Sequence, residues 1–63
     1  MNEQQLIQDA ASDLIKQIFK VFFDAYTAAL GNAAGEQKAE ATFQAGILHV
    51  RYVRDRAIAI LPP

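Results

Sequence analysis

A chain of 63 residues and 6.9 kDa with no cysteine and a single histidine makes one domain at most, and it excludes disulfides, thiolate metal sites and an imidazole-rich centre within one chain. Folded alone, so short a chain removes only roughly 60% of its unfolded surface from water, yet 52% of its residues are apolar, so the excess is expected to face another chain and oligomerisation is the expected reinforcement. The formal net charge is −1 and the pI about 5.6, unlike the strongly basic balance usual in a nucleic-acid domain.

The opening "MNEQQLIQDAA" lacks the basic region and the long apolar run of a secretory leader. The uninterrupted apolar stretches of the chain fall far below the ~20 residues that cross a bilayer. A cytoplasmic protein without a membrane span is therefore expected.

A first helix is predicted over 3–30. Ile7, Ala11, Leu14, Ile18, Val21, Ala25 and Ala28 recur at steps of four and three, a heptad seam. A second row of Ile15, Phe19, Phe22 and Tyr26 widens the apolar face, and Asp9, Asp13, Lys16, Lys20, Asp24 and Thr27 take the other side. Asn2, with Gln5 three residues on, suits the start. Gly31 suits the stop, because glycine enters the left-handed conformation that follows many helices. "LIKQIFKVFF" has phenylalanines on one side and lysines on the other, as surface-seeking helices do, but the neighbouring aspartates oppose attraction to anionic lipid, and a place in the bundle core is preferred. Phe19, Phe22, Phe23 and Phe43 are expected to form one aromatic cluster near the turn.

"GNAAG", 31–35, reads as a tight turn between antiparallel helices. It lacks the lysine and hydroxyl of a phosphate-binding loop.

A second helix is predicted over 36–61, opening between Asn32 and Glu36, with Glu36 and Glu40 at the positive end of its dipole. Its seam is Ala39, Phe43, Gly46, Val50, Val53, Ala57 and Ile60, and Pro62 with Pro63 ends it. "ILHVRYV" also alternates as a strand would. A hairpin there would have to turn at "RDR", which holds no glycine, asparagine or proline, so the helix is preferred. Ala41, Ala45, Leu48, Tyr52 and Ala59 form a further row nearly opposite that seam. A helix apolar on two opposite faces needs two partners. The fold class is thus all-α, an antiparallel two-helix hairpin expected to dimerise into a four-helix bundle. The interface is expected on Ala41, Ala45, Leu48, Tyr52 and Ala59 with Phe23.

"HVRYVRDR", 49–56, holds the one histidine and all three arginines. In a hairpin folded about residue 33, Arg51, Arg54 and Arg56 come level with positions 15, 12 and 10, which Asp9 and Asp13 bracket. Residues 1–40 carry net −3 and residues 41–63 net +2. Pairing of the arginines with Asp9 and Asp13, and of Arg51 with Asp55, is the preferred reading of the cluster. The alternative makes Arg51, Arg54, Arg56 and His49 a nucleic-acid contact, since arginine beside tyrosine offers both phosphate binding and stacking. In length and architecture the chain resembles the small plasmid-encoded RNA-binding helical hairpins that dimerise into four-helix bundles. That resemblance implies an RNA partner, but no sequence motif carries it.

Chemistry is otherwise sparse. His49 has Ala45 and Val53 four residues away and Gly46 and Tyr52 three away, none of them a metal ligand, and reads as an ordinary flanking residue, the alternative being a place in a dimer contact. Ser12, the one serine, has no histidine nearby in sequence to form a triad. Asp9 and Asp13, one turn apart, could share a cation or act as acid and base, but read more simply as solvated carboxylates. No catalytic residue, metal or cofactor is expected. The functional expectation is a non-enzymatic protein acting through protein–protein contact, with itself and with another protein, the alternative being a dimeric helical RNA- or DNA-binding regulator.

Overall fold

The computed structural model describes residues 2–63. Helix α1 spans Glu3–Ala28 and helix α2 spans Ala33–Ala59, with no strand among the described residues. The chain is an all-α antiparallel hairpin, and the stretch that alternates like a strand is helical throughout.

Capping follows the local chemistry. The Asn2 side chain accepts from the Gln5 backbone N–H at 2.7 Å, satisfying one of the donors that every helix start leaves open. The reciprocal capping-box bond does not form, because the Gln5 amide donates to Asp9 instead, at 2.9 Å. At the turn, Ala29 caps α1, the Asn32 N–H donates to the Ala29 carbonyl at 2.8 Å, and Gly31 takes the left-handed conformation at φ 88°. Its N–H donates to Glu36 at 3.1 Å.

Helix α2 therefore starts at Ala33, earlier than 36. The reason is Asn32, whose side chain accepts from Gly35 N–H at 3.1 Å and so draws "AAG" into the first helical turn. Both helices also stop short of their predicted ends, at Ala28 and Ala59.

The surface that α1 offers α2 is the row Ile7, Ala11, Ile15, Ile18, Phe22 and Tyr26, each buried or half-buried. Leu14 and Val21, placed on the seam by sequence, are 49% and 65% exposed. On α2 the facing row is Ala39, Phe43, Gly46, Val50, Arg54 and Ala57, while Val53 and Ile60 turn outward. Small residues set the approach: a methyl group added at Gly46 would lie 3.4 Å from Ile18 Cδ1. Of the four phenylalanines, only Phe22 and Phe43 meet across the hairpin, their centroids 4.7 Å apart, with Tyr26 against Phe22 at 5.4 Å. Phe19 and Phe23 form a separate exposed pair at 6.4 Å, so the expected single cluster is divided.

Candidate interaction surface

Two helices side by side make one layer, measuring 51 × 17 × 7 Å over its Cα atoms. Domains bury their apolar faces between two or more layers, and this hairpin has only one. Ala11, Ala39 and Val50 are its only buried hydrophobic residues among those described, and no large side chain there is fully buried. The accessible surface is 5008 Å², against roughly 4000 Å² for a compact chain of this mass.

The two broad faces differ. One carries a groove of about 690 Å³, floored by Ile18, Phe22, Phe43 and Val50 and rimmed by Leu14, Gln17, Val21 and Ala25 on α1 and by Lys38, Thr42 and His49 on α2. Its lining holds a single permanent charge, that of Lys38. The other face holds a smaller hollow of about 410 Å³, lined by Gln8, Ser12, Arg54 and Asp55 together with Ala11, Ile15 and Ile58. The Ser12 hydroxyl is occupied locally, donating to the Gln8 carbonyl at 3.1 Å.

The residues expected at an interface do not form one patch. Ala41, Ala45, Leu48, Tyr52 and Ala59 are all exposed along the outer edge of α2, Leu48 at 62% and Tyr52 at 73%. Phe23 is exposed on α1 beside Phe19. The two groups lie on different helices and different sides of the layer.

The arginines are likewise separated. The Arg54 Nε donates to the carboxylate of its neighbour Asp55 at 2.9 Å, while Arg51 and Arg56 are exposed. Asp9 accepts from Gln5 and Asp13 pairs with Lys16 at 3.7 Å. The expected pairing of Arg51, Arg54 and Arg56 with Asp9 and Asp13 is absent among the described residues, and so is that of Arg51 with Asp55. The cause is helix rotation: α1 turns Gln8, Ala11, Ser12 and Ile15 toward Arg54, and this directs the carboxylates of Asp9 and Asp13 outward. On α2, Arg51 and Arg56 are five residues apart, about 140° around the helix, so they leave it in different directions.

Protein-family models, curated proteins and solved structures give no match to this chain.

His49 stands on the rim of the apolar groove, and among the described residues no histidine, cysteine, aspartate and glutamate side chains gather where they could hold a metal ion. Among the described residues no helix is long and apolar enough to cross a membrane. The groove itself is the feature that the sequence did not reveal. Its signal was Gly46, a glycine on the seam of an otherwise good helix, which marks where two helices approach closely.

Proposed function

We propose that this chain is a small non-enzymatic helical protein that works through protein–protein contact, first with a second copy of itself. The observation that carries the reading is the lack of an enclosed core: Val21, Leu30, Leu48, Tyr52 and Ile60 are each more than 60% exposed. Exposed apolar surface on this scale marks an interaction site. Two hairpins packed face to face as an antiparallel four-helix bundle would supply the missing layer. The completed bundle would then present its outer surface to another protein.

Light scattering on the eluting protein, read at about 260 and 280 nm, tests this. A particle of twice 6.9 kDa without nucleic acid is the expected result, and a folded monomer at micromolar concentration overturns it. The second reading, a helical RNA- or DNA-binding regulator, draws on Arg51 and Arg56, which have no ion-pair partner among the described residues. Its signature is a complex absorbing strongly at 260 nm that dissociates as salt rises.

A further inference from the structure

We infer that the second copy seats on the grooved face, about a two-fold axis parallel to the helices, so that α1 of each copy lies over α2 of the other. This rests on the dimer reading above and goes beyond it by choosing a surface and an axis.

Two observations select the face and a third selects the axis. The first is area. The hairpin exposes on the order of 1000 Å² more than a compact chain of its mass. One broad face, 51 by 17 Å, offers a footprint of about 870 Å², which matches the ~800 Å² per partner of a standard stable interface. The outer edge of α2 is a single helix wide and offers much less.

The second is charge. Lys38 is the one permanently charged residue lining the groove, and burying unpaired charge is what most opposes association. The opposite face is the less suited, since two charged groups, Arg54 and Asp55, line its hollow, and although they pair with each other both would have to leave water.

The third concerns the rims and selects the axis. On α2 the rim holds Lys38 and His49, and Arg56, two turns beyond His49 in sequence, continues that row past the groove. The α1 rim itself carries no charge; the charges nearest to it, Asp13, Lys20 and Asp24, stand beyond Gln17 on the outer edge of that helix, two of the three acidic. An axis parallel to the helices sets the mainly acidic outer edge of α1 in one copy beside the basic row of α2 in the other. A perpendicular axis in the plane of the interface sets like against like. Phe22 faces Phe43 within the chain, so Gln17 is level with Leu48. About the parallel axis, Gln17 of one copy comes level with Leu48 and His49 of the second.

The test is light scattering and circular dichroism on the whole chain, at about 50 μM, for the wild type and for Val21→Asp, Leu48→Asp and Phe19→Asp. Val21→Asp, on the grooved face, is expected to weaken the dimer by about 100-fold or more, read as loss of dimer mass, with or without loss of helix. Leu48→Asp on the outer edge and Phe19→Asp on the opposite face are expected to remain dimers. A dimeric Val21→Asp, or dissociation by Leu48→Asp or Phe19→Asp instead, overturns the choice of face while leaving the dimer reading standing. A monomeric wild type overturns both.

Because the native chain has no cysteine, the axis is tested separately by mixing, unfolding and refolding Gln17→Cys with His49→Cys under mild oxidation. Mixed disulfides, identified by mass and exceeding those formed by either variant alone, are expected, given the ~4.4–6.8 Å Cα separation a disulfide requires. Like-with-like disulfides and no mixed species overturn the parallel axis.

Discussion

Phe22 and Phe43 meet with ring centroids 4.7 Å apart and planes tilted by 42°, in the range where aromatic pairs attract beyond their burial. This contact helps set the register of the hairpin, since a slide of one turn would put Ile18 in place of Phe22, or Ala39 or Ile47 in place of Phe43, and only the slide that brings in Tyr26 would keep two rings together. Phe43→Ala is accordingly expected to destabilise the fold by about 2 kcal/mol, less than a fully buried phenylalanine because the site is only half-buried. Urea unfolding at fixed protein concentration checks it, with the midpoint falling at unchanged slope.

The two glycines within α2 respond oppositely to alanine. At Gly46 the new methyl meets Ile18 at 3.4 Å, an ordinary contact with a side chain that can adjust, so the gain in helix propensity of up to about 1 kcal/mol survives. At Gly35 it meets the Ala29 methyl at 3.0 Å, and that methyl is fixed to the backbone of the turn. Thermal melts are expected to rise for Gly46→Ala and fall for Gly35→Ala. The same sign at both positions would show that propensity, not helix approach, governs them.

The turn depends on two local devices. Asn32→Ala removes the acceptor for Gly35 N–H and is expected to cost about 1 kcal/mol. Gly31→Ala places a side chain at φ 88°, where L-residues are disfavoured by about 1 kcal/mol or more. Replacing Gly31 by asparagine, which tolerates that conformation, should recover part of the loss. Urea midpoints of the three variants, measured side by side, give the comparison.

Asp9→Asn is expected to change stability by less than about 0.5 kcal/mol, because Asp9 accepts from Gln5 and the asparagine carbonyl can do the same. A loss above about 1 kcal/mol would reveal an arginine partner in solution. Chemical denaturation at low ionic strength gives the most sensitive reading.

Much of the architecture was legible in the chain because it rests on local chemistry. Asn2 and Asn32 cap because their short side chains reach the backbone one turn on, and "GNAAG" breaks the helix because Gly31 adopts a conformation costly to other residues. Four-and-three periodicity favoured helices over the strand pair, and the structure decided it, with α2 helical through Ala59. The stripe of each helix that faces the other was not legible. In α1 the apolar arc is wider than one neighbour can cover, so Leu14 and Val21 satisfied the pattern as well as Ile15 and Phe22 did. The choice depended on the packing of Ile18 beside Gly46 and on the ring contact of Phe22 with Phe43, which involve residues more than twenty apart in sequence. That same rotation carried Asp9 and Asp13 away from Arg54. Sequence by itself determined two capped helices and an excess of apolar surface, since periodicity and turn chemistry act over a few residues. Tertiary structure alone decided which apolar stripe is left uncovered, because helix rotation is set by packing between distant residues.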